Sequence, residues 1–539
     1  MEMATTIEAY KADLSFSIIW EKIVRYANEG WDTLEEADVQ ALKWYGVFVR
    51  KSTPGYFMIR VRVPGGILEH GRFTAEQLRV LADVTRDYGR DIMDLTTRQQ
   101  VQLRWIRMED VLTVLEKLNA AGLSTMQTGM DNIRNVTTCP VAGLQADEAL
   151  DSRHLVKELN DSIVGNWKVA NLPRKFNITV LGCCDNCTHA EINDIALTPA
   201  KRGDLAGYNV WVGGGLGSWG TQRSLALDAF VLPEQATEIC HAILELFHER
   251  GNREKRNKAR LKFLIEEMGL LAFRKEVLRK LSFTPLSAGT ELTDDHSHRD
   301  HIGVHPQKNP GLNYVGLNVV TGRMRLEHVY EAARLAEAYG NGEVRLTTAQ
   351  NVIIANVPDE KLAALLAEPV LAQLQHDPLP FARGLISCTG NTFCPFAMIE
   401  TKQRTLELVT YLDEKIGRSV MESVGVLEIH ASGCPNSCGN PHTGQIGLIG
   451  KKVKVDGQVV EGADIYLGAE HGVHGSFNER WKIAVPFSEM GPLLEGMIRQ
   501  YIEEREPEEP FRRWCIRNGL IQGELKQFAP MIKDEEHTA

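Results

Sequence analysis

Four cysteines in two short loops of the C-terminal half could bind a metal. They lie in SCTGNTFCP (387–395) and SGCPNSCGN (432–440), with the spacings Cys388-x5-Cys394 and Cys434-x3-Cys438. Four thiolates can close a tetrahedral zinc site or hold a [4Fe–4S] cube. Zinc ligand pairs usually lie two to four residues apart, so the five-residue gap favours the cube. A third interpretation is four unrelated cysteines, because free cysteine is commonly buried.

Cationic residues recur on alternate positions of predicted strands in the N-terminal half. In the strand predicted over 56–63, Arg60 and Arg62 share a face, and in RKFNITV (174–180) Lys175 and Asn177 share one. Arg98, Gln102 and Arg104 would share a further face with Thr96 if the strand at the LTT motif extends back that far. Exposed arginines usually just face water. Several in one half, opposite a four-thiolate half, fit a polyanionic cofactor and an anionic substrate.

A basic run, RGNREKRNKARLK (250–262), is predicted to form a helix with two cationic stripes. One stripe fits a solvated helix face, and the other could meet cofactor carboxylates or an acidic protein partner.

An internal duplication organises the chain. LTTRQQVQL (95–103) recurs as LTTAQNVII (346–354), and Cys183 and Cys187 align with Cys434 and Cys438, both at an offset of 251 residues. Two motifs that share one offset indicate two copies of one unit. The first copy is predicted to run strand, helix, strand, helix through residues 56–63, 74–89, 101–106 and 109–122. The sequence thus predicts an α+β fold with two pseudo-symmetric halves.

The copies differ where chemistry would differ. Arg98 corresponds to Ala349, and Cys388 and Cys394 have no paired equivalent in the first copy. This asymmetry predicts a single cofactor site between the halves. Cys139, Cys183 and Cys187 could be three ligands of a second cluster, but we expect them to be relics packed as small apolar residues.

Four histidines, His296, His298, His301 and His305, lie in a polar segment between the copies. We expect an exposed linker there, since no cysteine or carboxylate spacing supports a closed metal site. The predicted division of the chain is an N-terminal helical segment (1–50), a first half-domain (51–122), a first cofactor domain (123–285), the linker (286–311), a second half-domain (312–375), a second cofactor domain (376–515) and a tail (516–539).

The overall composition excludes several classes of protein. The 539 residues carry 60 Lys+Arg against 71 Asp+Glu, a formal charge of −11, which argues against nucleic acid as the main partner. No run of eighteen apolar residues predicts a membrane span, and no secretory signal is visible at the start. We therefore expect a cytoplasmic protein.

Together these residues resemble the nitrite and sulfite reductase family, whose members carry sirohaem and a [4Fe–4S] cluster, and most closely its ferredoxin-dependent nitrite-reducing branch. The resemblance covers about residues 40–515. Its landmarks are MIRVRVPGG (58–66), LTTRQQVQLR (95–104), MDNIRNV (130–136), LPRKFN (172–177) and the paired cysteine loops. The fold that it implies is a duplicated α+β unit whose halves enclose the sirohaem beside the cluster.

The resemblance also assigns site residues. It implies that Cys388, Cys394, Cys434 and Cys438 hold the cluster, and that Cys438 also binds the sirohaem iron. It implies substrate contacts from Arg60, Arg134, Lys175 and Asn177, and sirohaem contacts from Arg98, Gln102, Arg174 and Arg260. Asn177 stands where sulfite reductases of the family typically carry a second lysine. Asp94 and Arg104 also depart from the family pattern, where some members have Arg and His.

The activity implied is six-electron reduction of nitrite to ammonium by a monomer, with electrons from reduced ferredoxin or flavodoxin. One alternative is reduction of sulfite to sulfide by the same site. Two alternatives of other classes are a non-catalytic iron–sulfur electron-transfer protein and a zinc-stabilised structural protein.

Overall fold

The computed structural model describes residues 2–50, 53–67, 73–293, 299–421 and 424–523. Its strands are β1 Val47–Val49, β2 Tyr56–Val61, β3 Phe73–Thr74, β4 Ile92–Leu95, β5 Val101–Arg107, β6 Ile133–Thr138, β7 Phe176–Val180, β8 Ile195–Arg202, β9 Leu205–Val212, β10 Leu225–Val231, β11 Thr290–Glu291, β12 Gly303–Pro306, β13 Leu312–Leu317, β14 Arg323–Arg325, β15 Glu343–Leu346, β16 Val352–Pro358, β17 Leu385–Ser387, β18 Ile429–Ser432, β19 Ile446–Val455, β20 Gln458–Leu467 and β21 Glu479–Pro486.

Its α-helices are α1 Glu2–Ala12, α2 Phe16–Glu29, α3 Asp38–Ala41, α4 Ala75–Tyr88, α5 Val111–Ala120, α6 Arg153–Ile163, α7 Trp167–Ala170, α8 Ala236–Arg250, α9 Leu261–Met268, α10 Leu270–Leu278, α11 Leu326–Tyr339, α12 Asp359–Leu366, α13 Pro380–Arg383, α14 Thr401–Ile416, α15 Arg418–Met421, α16 Phe487–Glu504 and α17 Phe511–Arg517. No helix within these described ranges is long and apolar enough to cross a bilayer.

The predicted strand, helix, strand, helix order of the first copy is confirmed by β2, α4, β5 and α5. Helix α4 begins where Thr74 and Gln77 form a capping box, in which each side chain accepts a hydrogen bond from the other's backbone N–H. The apolar face of α4 buries Leu78, Leu81 and Ala82 against the strands.

Two half-domain sheets have the same topology and exchange an edge strand. Their strand orders are β1-β2-β5-β4-β14 and β12-β13-β16-β15-β3. Strand β14 of the second copy pairs with β4 of the first, and β3 of the first pairs with β15 of the second. One continuous apolar core runs through both half-domains. The two copies are therefore interlocked rather than merely adjacent.

The two cofactor domains also share one topology. Their sheets run β10-β9-β8-β7-β6 and β17-β18-β19-β20-β21, with β6, β7 and β8 parallel in the first and β17, β18 and β19 parallel in the second. Parallel neighbours end at the same edge of a sheet, so the loops after them lie side by side. These two edges carry the two sets of clustered cysteines.

The topology corrects one expectation about the duplication. Cys139 directly follows β6, as Cys388 directly follows β17, and β6 and β17 occupy equivalent places in their sheets. Cys388 therefore has a counterpart in the first copy, Cys139, whereas no cysteine there matches Cys394. Insertions between the strands shift this pair to an offset of 249 residues, which concealed it from a search at one fixed offset.

Three local predictions also differ from the structure. The basic run 250–262 is not a helix, because α8 ends at Arg250 and α9 begins at Leu261, and Asn252 caps a turn between them. Arg98 lies in the turn before β5 rather than on an extended strand. The segment 286–311 is not an exposed linker throughout: it contributes β11 and β12, and His301 is buried. His296 and His298 lie outside the described residues.

Candidate functional site

The two cysteine loops of the second copy meet at one sheet edge. Cys388 follows β17 and Cys434 follows the parallel neighbour β18. The backbone N–H of Gly433 donates to Cys388 Sγ at 3.1 Å, and Thr401 Oγ1 lies 3.4 Å from the same sulfur. A Cβ at Gly433 would come within 2.7 Å of Thr401 Oγ1, so only glycine lets the loops approach this closely.

All four thiols of these loops influence one another electrostatically. Burial raises the pKa of Cys434 to about 11, and Cys438, Cys394 and Cys388 add to the rise. Among the described residues, however, no three of these four sulfurs lie within 4.8 Å of one another. A different group of residues, described below, does meet that criterion. These four sulfurs are therefore near one another without converging on a single-ion-sized point. That spacing suits a cube, in which each thiolate ligates its own iron.

Cys438 connects these loops to the cationic half. Its thiol is accessible from the space between the copies, and Thr97 of the first copy donates to its carbonyl oxygen at 3.1 Å. Burial raises the pKa of the Cys438 thiol, whereas Lys175 and Arg60 oppose the rise. Cations of the first copy thus face the sulfur that the second copy presents.

Arg60 and Arg134 are held by the same carbonyl group. Arg60 Nη1 and Arg134 Nη1 donate to the carbonyl oxygen of Thr128 at 3.0 and 2.7 Å. The segment that carries Thr128 is anchored by Arg62, which is buried and donates to the carbonyl oxygens of Met126, Gln127, Ile133 and Arg134. Sequence reasoning placed Arg62 on the cationic face but missed this positioning role, because its partners are backbone groups.

Two further residues complete this group: Lys175 directly precedes β7, and Asn177 lies on it. Their side chains form no hydrogen bond with any residue that the structure describes. The pKa of Lys175 falls to about 7 because the ammonium is desolvated and Arg260 lies close by. An anion bound here would reverse that shift.

Two carboxylates anchor the remaining cations. Asp194 accepts from Arg260 Nη2 at 2.8 Å and from the backbone N–H of Asn177 at 2.8 Å, and so joins Arg260 to β7. Asp131 accepts from Arg256 Nη1 at 2.8 Å and from Arg174 Nη1 at 3.5 Å. Arg256 of the basic run 250–262 therefore points towards the buried Asp131. Neither carboxylate was singled out from the sequence, although Asp131 lies in the landmark MDNIRNV.

The side chains of Gln102 and Arg98 form hydrogen bonds with other residues of the protein. Arg98 donates to Asn193 Oδ1 at 2.9 Å and to two backbone carbonyl oxygens at 3.1 Å. Gln102 is buried, and its amide oxygen accepts from Arg104, which in turn pairs with Asp94 at 2.5 Å. The departure from the family pattern at Asp94 and Arg104 is thus a buried ion pair beside the Cys388 loop, where Arg104 also contacts Thr389.

The cationic pocket fits a polyanionic cofactor. Nε of Arg60, Arg98 and Arg134 is buried without a hydrogen-bond partner among the described residues. Burial lowers the pKa of Arg98 to about 9 and of Arg134 to about 10, and Arg174 lowers that of Arg134 further. Such an accumulation of desolvated cations is costly unless an anion joins it. The carboxylates of sirohaem would supply that charge.

Comparison with known proteins identifies the family. The family model "Nitrite/Sulfite reductase ferredoxin-like half domain" matches residues 49–121 and 305–372, and "Nitrite and sulphite reductase 4Fe-4S domain" matches residues 129–284. This chain belongs to the nitrite and sulphite reductase family. The half-domain match at two separate places confirms the duplication predicted from the sequence.

Curated relatives cover nearly the whole chain. A "Ferredoxin--nitrite reductase" of Synechococcus elongatus is 43% identical over 94% of this chain and 97% of its own. The "Assimilatory ferredoxin-dependent nitrite reductase" of Haloferax mediterranei is 36% identical over 96% and 92%. Among solved structures, the Mycobacterium tuberculosis NirA protein superposes with a TM-score of 0.86 at 30% identity, over 93% of this chain and 94% of that one.

Proposed function

We propose that this protein catalyses the six-electron reduction of nitrite to ammonium at a sirohaem coupled to a [4Fe–4S] cluster, with reduced ferredoxin as the donor. The observation that carries the proposal is the juxtaposition of Cys438 with Arg60, Arg134 and Lys175, whose polar groups include unpartnered donors. The names of the relatives support nitrite as the substrate and ferredoxin as the donor. Flavodoxin remains an alternative donor.

The cofactors would be divided between the copies. Cys388, Cys394, Cys434 and Cys438 would hold the cluster, and Cys438 would also meet the sirohaem iron. Arg98, Gln102, Arg174 and Arg260 would line the tetrapyrrole. When bound, the two cofactors would supply the electrons one at a time, as nitrogen passes from oxidation state +3 in nitrite to −3 in ammonium.

The protein's own residues would bind the anion and supply protons. Nitrite would accept hydrogen bonds from Arg60, Arg134, Lys175 and the Asn177 amide. Reduction to ammonium with release of two waters consumes six electrons and eight protons. Lys175 can donate a proton to the bound anion, which would favour its ammonium form. It can also be reprotonated near neutral pH, because its pKa falls to about 7 when no anion lies beside it. The two arginines would hold charge fixed while N–O bonds break.

The test is a product assay on anaerobically purified protein. With reduced ferredoxin and nitrite we expect ammonium in a ratio of one per six electrons consumed. With sulfite as the only substrate we expect much slower formation of sulfide. A preparation that carries both cofactors and yields sulfide faster than ammonium would favour the sulfite alternative, and one that yields neither would favour a non-catalytic electron carrier.

A further inference from the structure

A second set of cysteines occupies the equivalent sheet edge of the first copy. Cys139 follows β6, and Cys183 and Cys187 follow the parallel neighbour β7. The spacings repeat those of the second copy: Cys139-x5-Gln145 matches Cys388-x5-Cys394, and Cys183-x3-Cys187 matches Cys434-x3-Cys438. Glutamine thus replaces the one cysteine that a cube would need here.

A histidine from the segment between the copies joins these thiols. His301 Nε2 lies 3.9 Å from Cys139 Sγ, and the ligand atoms of Cys139, Cys187 and His301 all lie within 4.8 Å of one another. Cys183 Sγ is 4.0 Å from Cys187 Sγ. All four side chains are buried, with exposed fractions of 2% or less. The expectation of relic thiols packed as small apolar residues does not account for an imidazole converging on them.

The spacing of these atoms is that of a single ion. Tetrahedral zinc with Zn–S bonds of about 2.3 Å places its sulfur ligands about 3.8 Å apart. The separation of 4.0 Å between Cys183 Sγ and Cys187 Sγ is close to this value, and His301 Nε2 lies 3.9 Å from Cys139 Sγ. In the second copy, by contrast, no three of the four described thiols lie within 4.8 Å of one another, whereas Cys139, Cys187 and His301 do. We propose that Cys139, Cys183, Cys187 and His301 form a structural Cys3His zinc site.

The surroundings orient the histidine as a ligand. Tyr314 Oη lies 3.4 Å from His301 Nδ1, which leaves Nε2 directed at Cys139. A hydrogen-bond partner on the second ring nitrogen is typical of metal-binding histidines. Thr348 of the second copy also contacts the carbonyl oxygen of Cys187. The zinc would therefore tie the first cofactor domain to the segment that leads into the second copy.

The test measures metal rather than activity. After gel filtration in the presence of a chelator, we expect one zinc per chain in addition to the iron of the cofactors. X-ray absorption at the zinc edge should show about three sulfurs at about 2.3 Å and one nitrogen at about 2.0 Å. Cys187→Ser and His301→Ala should lower zinc to less than about a tenth of the wild-type content, with iron unchanged.

Neighbouring residues provide matched controls. Cys184→Ser removes a half-exposed thiol that is adjacent to Cys183 in the sequence but contacts the carbonyl oxygen of Asp147. His305→Ala removes an imidazole ring that stacks on the Tyr314 ring, with 4.8 Å between the ring centroids. Both should retain zinc. The proposal is overturned if wild-type protein from zinc-supplemented cells lacks zinc, whether the thiols then titrate as free, are joined as a disulfide or bind additional iron. The zinc content of the wild-type protein decides the question by itself, so the test does not depend on whether every variant folds.

Discussion

Asn177 is the one uncharged side chain among the four residues proposed to face the substrate. Deprotonated sulfite carries two negative charges and nitrite carries one, so the number of cations at this position bears on the choice between them. The backbone N–H of Asn177 is fixed by Asp194, which sets the position of its side chain on β7. A longer, charged side chain here would point into the same space.

Asn177→Lys is expected to raise the ratio of sulfite to nitrite turnover about tenfold, equivalent to about 1.4 kcal/mol of transition-state binding. Steady-state rates for both substrates with the same donor would measure it. Asn119→Lys adds the same charge at an exposed helical position outside the site and should leave the ratio unchanged. An unchanged ratio in Asn177→Lys would show that the number of cations at the site does not determine the preference for nitrite over sulfite.

For individual residues, the sequence predicted the types of side chain at the site better than it predicted their interaction partners. The cationic residues and the four cysteines proposed to hold the cluster could be chosen from alternation, spacing and resemblance. Their anchors, Asp131 and Asp194, could not, because each pairs with an arginine 66 or 125 residues away in the chain. His301 was missed for a related reason: its neighbours suggest a loop, and only the tertiary fold buries it beside Cys139.

Among the elements, the exchanged strand β14 depends on a buried ion-pair hub. Asp94 of β4 pairs with Arg104 of β5 at 2.5 Å, with Arg323 of β14 at 2.8 Å and with Lys402 of α14 at 3.7 Å. One carboxylate thus joins three elements from both copies. Burial would raise its pKa, but Arg104, Lys402 and Arg323 together hold the pKa of Asp94 well below its ordinary value.

Asp94→Asn should lower the free energy of unfolding by about 3–5 kcal/mol at neutral pH, because it leaves the buried Arg104 and Lys402 and the half-buried Arg323 without their anion. Chemical denaturation with the cofactors bound would measure the loss. Since the carboxyl pKa is depressed in the folded state, its contribution is present above the unfolded value of about 3.9 and fades as pH falls below it. The difference between variant and wild type should therefore shrink in acid.

Asp91→Asn is the matched control, since Asp91 precedes the same strand but is exposed. Its effect should stay within about 0.5 kcal/mol. Equal losses for the two variants would show that the hub contributes little. Of the elements that meet here, the sequence predicted β5 but not β4 or α14. It also did not predict the exchange of β3 and β14, because pattern alone does not reveal which sheet a two- or three-residue strand joins.

Across the whole molecule, reciprocal contacts hold the copies together. Thr97 contacts the carbonyl oxygen of Cys438, and Thr348 contacts that of Cys187. Gln99 Nε2 donates to the carbonyl oxygen of Leu346 at 3.0 Å, and Gln350 Nε2 donates to that of Leu95 at 2.9 Å. Each member of a pair lies 251 residues from its counterpart. The repeated LTT motif thus makes matching contacts from each copy to the other.

This symmetry explains which features were predictable. A repeated motif at a fixed offset predicts two copies, and the duplicated fold follows from it. The chemistry is not symmetric, because the second copy keeps four thiolates and the first keeps cations together with three thiolates and a glutamine. Two equivalent sheet edges would thus carry two different centres, and the one proposed around Cys438 would perform the reaction.

The most direct test of this account compares optical spectra and iron content of anaerobically purified wild type, Cys438→Ser and Cys240→Ser. Cys240 is a buried thiol in the apolar core of the first cofactor domain and serves as the control. We expect sirohaem bands above broad cluster absorption in the wild type and in Cys240→Ser, and loss of both in Cys438→Ser. Wild-type spectrum and iron retained in Cys438→Ser, or wild-type protein without iron, would contradict the account.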